Sequence, residues 1–251
     1  PIEPVSRASA AQRAGRCGRV GEGICIRLYG EDDFATRAEY TDPEILRTNL
    51  ASLILQMAAL GLGAPEEFPF VDPPDTRLLN DGYRLLQELS AVDGDRRITR
   101  LGRQMASLPV DPRLARILLE AGRHRCLSEA LVIAAFLSIQ DPRERPADKS
   151  EAADQAHASF ADERSDFTGV LNLWRAAGEQ AAAGTRALRR WCKEHFLSFV
   201  RLREWRDLHE QLAEITAGQG LERNMEPAPA SRLHQSILTG CLGGIGVLDE
   251  G

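Results

Sequence analysis

The chain has 251 residues, of which 43% are hydrophobic, a mean hydropathy of -0.29 and a formal net charge of -6. That length supports one large domain or two small ones with real cores. The net charge excludes a global basic field that would draw the chain onto nucleic acid, so any such contact must come from local patches. Cys17, Cys25, Cys126, Cys192 and Cys241 are scattered and form no C-x-x-C pair. The five histidines do not complete a metal-ligand spacing with them. That usage predicts reduced thiols in a cytoplasm rather than a disulfide framework. No apolar run reaches the ~18 residues of a membrane span.

Near the N-terminus, Gln12-Arg13-Ala14-Gly15-Arg16-Cys17-Gly18-Arg19 places three arginines within seven residues, with glycines between them. Guanidinium groups carry a fixed charge and a planar fork of donors that suits phosphate. Glycines let a backbone turn closely around a ligand. The stretch leads into Gly23-Ile24-Cys25-Ile26-Arg27-Leu28-Tyr29, which reads as a buried strand. A lone strand cannot bury both faces, so these residues are expected to be the tail of a domain that begins upstream. A small strand docked on helices is the alternative. The bland reading of the arginines is a solvated basic loop.

Thr41-Asp42-Pro43-Glu44 has the features of a helix start. The helix continues through Leu46, Leu50, Leu53, Ile54, Met57 and Leu60 and is stopped by Gly61-Leu62-Gly63. A proline-rich connector, 65–74, holds Phe68, Phe70 and Val71, expected to be pinned to the core. Asp75 to Leu89 is a second amphipathic helix. Ala91 to Thr99 has two short β-like arms around an Asp93-Gly94 turn. Helix, helix and small hairpin is the order of a winged-helix module.

From Leu101 onward the pattern is helical. Asp111-Pro112 opens one helix. Ser128 is expected to cap the next, which is apolar nearly all round and so central. Residues 141–158 read as an exposed loop, and Ser165-Asp166 opens a further helix. Residues 178–184 read as a low-complexity break. A long helical region from Arg186 to Ile215, broken once, carries a basic excess. A proline-containing linker, 218–230, leads to a last short helix over 234–242. The fold class expected is mainly α.

Chemistry-bearing motifs are sparse. No G-x-x-x-x-G-K-[ST] loop, nucleophile elbow or zinc-hydrolase signature occurs. Asp32 and Asp33 read as turn solvation. His124 and His195 read as surface histidines on helices.

The stretch from Gln12 to Arg19 matches Q-R-x-G-R-x-G-R at every position, and so resembles motif VI of the superfamily 2 helicases. The residues that follow resemble the DEAH-box RNA helicases in particular, with the bacterial HrpA type as the nearest subgroup. They are Gly23 to Tyr29, Thr41 to Leu50, Ile98-Thr99-Arg100-Leu101-Gly102, Leu108-Pro109-Val110-Asp111-Pro112, Ser165-Asp166-Phe167 and Trp191-Cys192-Lys193-Glu194-His195-Phe196-Leu197. The resemblance implies a C-terminal fragment. Residues 1–40 would be the end of the second RecA-like domain, 41–108 a winged helix and 109–251 a ratchet-like helical bundle. The family's phosphate loop and DEAH motif are not in this sequence.

By the same resemblance, Arg16 and Arg19 would be arginine fingers on the γ-phosphate of ATP, and Gln12 would position the attacking water. ATP and Mg would be the cofactors of the complete enzyme, with none expected bound to this fragment. The partners implied are single-stranded or structured RNA and the missing N-terminal RecA-like domains in cis, with no membrane. Arg175, Arg190, Lys193, Arg201 and Arg203 are the candidates for lining an RNA channel, against a solvated basic helix face as the alternative. Two further readings stay open. One is a non-catalytic winged-helix and bundle adaptor that docks RNA or protein. The other is a DEAH-like enzyme acting on DNA or RNA–DNA hybrids.

Overall fold

Local capping chemistry sets several of the helix starts. Asp75, Thr99, Asp111 and Ser165 each have extended or near-extended backbone and a side-chain oxygen that accepts an amide of the first turn. A computed structural model of the chain describes residues 4–18, 21, 23–40 and 50–246. Two short helices, α1 (Arg7–Ala14) and α2 (Glu31–Thr36), come first. The expected helix start at Thr41-Asp42-Pro43-Glu44 lies outside the described residues.

Next come α3 (Ala51–Leu60), α4 (Thr76–Glu88) and α5 (Arg100–Ala106), with one antiparallel bridge between Val92 and Ile98 before α5. Gly61 ends α3 in the left-handed conformation, φ 69°, where glycine carries no steric cost. Here α3 packs on both α4 and α5. The close approach of α5 to the bridge depends on Gly102, where a Cβ would sit 2.1 Å from the Ala91 carbonyl oxygen.

The bundle consists of α6 (Pro112–His124), α7 (Leu127–Leu137), α8 (Ser150–Ala158), α9 (Asp166–Ala182), α10 (Thr185–Glu194), α11 (Phe199–Gly218) and α12 (Ala230–Leu238). α5 packs on α6 and so joins the two parts. As its all-round apolarity predicts, α7 is central: α6, α9, α11 and α12 all pack against it. One contiguous hydrophobic core runs from Leu50 to Ile237. Trp205 is fully buried in it and donates its indole N–H to the Val132 carbonyl at 2.9 Å, so its polar end is satisfied.

The structure corrects several expectations. Residues 23–29 form no strand, and Ile24, Ile26 and Leu28 are 88, 80 and 95% exposed. A strand is stable only with partners for its backbone groups, and the described residues offer none to this segment. Nor is the 65–74 connector pinned as expected. Val71 is 98% exposed, and Phe68 packs on Phe70 at a centroid distance of 4.8 Å.

Residues 141–158 are not a loop throughout. An Arg143–Leu197 bridge, an amide from Glu144 to the Phe196 carbonyl and one from Ser198 to the Pro142 carbonyl fix the first part. The alanine-rich remainder forms α8, because alanine is the best helix former. A fork of bonds from Arg145 to Asp154, 2.8 and 2.6 Å, spans the two parts. Ser128 lies inside α7 and does not cap it; Cys126 occupies the cap position. α9 runs through Gly178, so the break is confined to Ala183 and Gly184, the latter at φ 104°. The basic region is broken once, as expected, where Phe196 adopts φ 51° between α10 and α11. The last helix starts at Ala230, directly after Pro229, and a short 3-10 turn over Leu242–Gly244 follows it.

Candidate nucleotide and nucleic-acid contacts

The N-terminal segment is built around α1. The Ser6 hydroxyl accepts the Ser9 amide at 3.2 Å. The amides of Arg7 and Ala8 donate to the carbonyls of Ala38 and Glu39 at 2.9 and 2.8 Å. Arg37 holds the same end: its guanidinium donates to the Val5 carbonyl, pairs with Asp33 and lies 4.0 Å from the Tyr29 ring centroid. Tyr29 stacks on Phe34, and Arg27 covers the other ring of that pair at 4.2 Å. An arginine–aromatic cluster therefore holds the start of α1 and leaves its end free to present side chains.

Gln12 and Arg13 lie in the last turn of α1. The helical hydrogen-bond pattern continues past it, from the Gly15 amide to Ala11 and from the Arg16 amide to Arg13. Gln12 and Arg16 are thus one turn apart on the same side, and Gln12, Arg13 and Arg16 are all exposed. Among the described residues, no carboxylate pairs with Arg13 or Arg16. The chain then doubles back. Gly18 has φ 84°, and a Cβ on Gly23 would lie 2.6 Å from the Gly18 nitrogen. Arg19 lies outside the described residues. The donor set here, a glutamine amide and guanidinium forks, suits phosphate oxygens and offers no anionic oxygen to a metal. No cluster of three His, Cys, Asp or Glu among the described residues is arranged to hold a metal ion.

The five basic candidates in the bundle do not form one group. Arg190 and Lys193 share an exposed face of α10 with Arg186 and Arg189. Arg190 faces Glu194 at 3.9 Å, and Arg189 lies over the Phe199 ring at 4.7 Å. Arg203 on α11 lines two grooves that meet at Phe199. One, of about 490 Å³, adds Ile139, Val200 and Leu208; the other, of about 470 Å³, adds Leu188 and Arg206. Arg175 is exposed on α9 and donates to Asn172 at 3.3 Å. Arg201 is two residues from Arg203 and so faces nearly the opposite way. It is half-buried and donates to the Asp141 carbonyl at 3.1 Å, with Glu144 at 4.0 Å.

Sequence reasoning counted Arg206 in the basic excess of this region but did not place it beside Arg203 in a groove, and it missed the clamp made by Asn224 and Glu129. Asn224 accepts the Ser128 amide at 2.9 Å and donates to Glu129 at 2.9 Å; the other Glu129 oxygen accepts the Ala228 amide at 2.9 Å. No local pattern announces such a pairing. Two of the thiols are buried, and burial pushes Cys192 up to about 11, far from a thiolate nucleophile at neutral pH.

The chain is similar to known proteins over almost its full length. Residues 111–198 match the helicase associated domain (HA2), ratchet-like, and residues 83–110 match the helicase associated domain (HA2), winged-helix. The ATP-dependent RNA helicase HrpA of Escherichia coli (strain K12) is 55% identical over 255 residues, covering 99% of this chain and 20% of that protein. The HrpA homolog of Haemophilus influenzae is 52% identical, covering 98% of this chain and 20% of its own length. The probable ATP-dependent RNA helicase DHX35 of Homo sapiens is 35% identical over 240 residues, covering 95% of this chain and 33% of that protein. The chain thus spans about a fifth of the length of the two bacterial relatives.

Proposed function

The chain belongs to the DEAH-box helicase family, of the HrpA type, and on that premise we propose that it is the part of an ATP-dependent RNA helicase that completes the nucleotide site and walls the RNA path. In this reading residues 1–40 end the second RecA-like domain, 41–108 are the winged helix and 109–251 the ratchet-like bundle. Arg16 and Arg19 act as arginine fingers, and Gln12 orients the attacking water. ATP with Mg and the RecA-like domains in cis complete the site in the whole protein, which works in the cytoplasm.

One observation carries the reading. The Q-R-x-G-R-x-G-R stretch is complete, and Gln12 in the last turn of α1 and Arg16 just past that turn both stand exposed, while the start of the helix is firmly tied. Phosphoryl transfer spreads negative charge over equatorial oxygens, and preorganised guanidiniums stabilise it without reorganisation. Opening and closing of the cleft with each ATP would shift the RecA-like domains along the strand while the bundle keeps hold of it.

The test uses the whole HrpA-type protein. Arg16→Ala and Arg19→Ala should each lower RNA-stimulated kcat by about 10³-fold and leave RNA affinity nearly unchanged. A normal kcat would refute the finger role. Stimulation of the same ATPase by DNA rather than RNA would redirect the substrate assignment.

A further inference from the structure

On the side of the bundle where α6 ends and α12 begins, the segment between α11 and α12 forms one wall of a groove of about 870 Å³. Three exposed arginines line it, each from a different element: Arg125 just past α6, Arg223 in the segment and Arg232 in the first turn of α12. None of the three pairs with a carboxylate at ion-pair distance among the described residues. Glu222 and Glu226 also line the groove, and Met225 projects from it, 98% exposed.

Two features set this groove apart from a chance group of surface charges. First, its wall is held in place. The Asn224 side chain bonds Ser128, Glu129 and the Glu226 carbonyl, Glu129 bonds Ala228, and the Ser128 hydroxyl donates to the Asn224 carbonyl. Met225 is therefore displayed on a clamped segment and not on a loose one. Second, Arg125 is the residue that ends α6: it takes the left-handed conformation common at helix ends, φ 55°, ψ 46°, and its amide donates to the Gly122 carbonyl at 3.4 Å, so the helix end fixes where its side chain leaves the backbone.

We infer that this groove docks a protein segment that carries acidic residues beside an apolar side chain. The arginine forks match carboxylates two oxygens at a time, and Met225 gives the apolar residue an adaptable contact. Arginine and methionine are enriched in protein interfaces. A nucleic-acid strand fits the groove less well, because protein surfaces that bind nucleic acid are far more uniformly basic than a groove that Glu222 and Glu226 also line.

The experiment uses the full chain and an array of fluorescent 12-residue peptides in which Glu and Asp alternate with Leu at varied spacing. Matched peptides with Gln and Asn replacing the acids serve as controls, together with a single-stranded oligouridylate. The acidic peptides should bind saturably and the controls should not. Arg223→Ala and Arg232→Ala should each weaken binding roughly tenfold, and Met225→Ser several-fold. Arg84→Ala, on α4, should leave binding unchanged. Unfolding curves matching the parent chain verify that the exposed-site variants fold. The inference is overturned if no acidic peptide binds, if binding survives the groove variants, or if the oligouridylate displaces the peptide and its own binding depends on the same arginines.

Discussion

The side-chain carbonyl of Asn224 accepts the backbone N–H of Ser128 at 2.9 Å, across 96 residues of chain. It satisfies one of the amides left without a partner at the start of α7. A helix that lacks a local cap is thus capped from a distance, and the same contact fixes the segment leading to α12.

Asn224→Ala should therefore cost more than a surface substitution. The loss of a cap costs about 1 kcal/mol, and Glu129 loses a partner for a charged oxygen, worth about 1.5–3 kcal/mol. The expected destabilisation is about 2.5–4 kcal/mol, read from urea unfolding of the chain. A change below about 0.5 kcal/mol, the usual range for surface substitutions, would show that the clamp holds nothing.

Gly102→Ala tests the junction between the winged-helix part and the bundle. Here the Thr99 hydroxyl caps α5 by accepting the Gly102 amide at 2.9 Å and donates to the Ser90 carbonyl at 2.8 Å. A methyl group at 102 would meet the backbone of Ala91, which cannot rotate away as a side chain could. Overpacking of this kind costs about 1–3 kcal/mol or more, and the thermal midpoint should fall by several degrees. An unchanged midpoint would mean that α5 can move away from the bridge freely.

What was legible in the sequence follows the range of the interactions involved. Asp75, Asp111 and Ser165 announce their helices because a cap acts within one turn. α7 announces its central place because apolarity on every side leaves no face for water. The Gln12–Arg19 stretch was legible as a pattern of residue types. Asn224 was not, because nothing near Ser128 points to a partner 96 residues on. Residues 23–29 carry the composition of a strand, yet a strand is a property of pairs, and among the described residues this one has no pair. Arg201 and Arg203 look alike in the sequence, and only the seating of the 141–144 segment separates them.

His209 gives the fold a pH dependence. Burial disfavours its charged form and holds its pKa below the ordinary 6.5; Arg223 and Arg206 add to this, and Glu210 opposes it. The ring packs against Trp174 at 4.7 Å. Because the unfolded chain binds this proton more readily, the contribution to stability is fully present above about pH 6.5 and is lost as pH falls through that value toward the folded pKa. Thermal midpoints measured from pH 7.5 down to 5 should fall more steeply for the parent chain than for His209→Gln. Parallel curves would assign the acid sensitivity to other groups.

Arg201 and Arg203 offer the sharpest test of the nucleic-acid path, because two neighbouring arginines should fail in different ways. Arg201 is half-buried and donates to a main-chain carbonyl, so Arg201→Ala should leave the Asp141 oxygen short of a partner and lower stability by about 1–3 kcal/mol. Arg203 is exposed at the junction of two grooves beside Phe199, with no ion pair among the described residues, so Arg203→Ala should leave the unfolding curve in place. If it contacts a phosphate of single-stranded RNA, its removal should lower affinity in the whole protein. It should also reduce the slope of log affinity against log salt by about 0.7, the share of one counterion on a single strand. An unchanged slope would place Arg203 on a solvated face and move the strand elsewhere on the bundle.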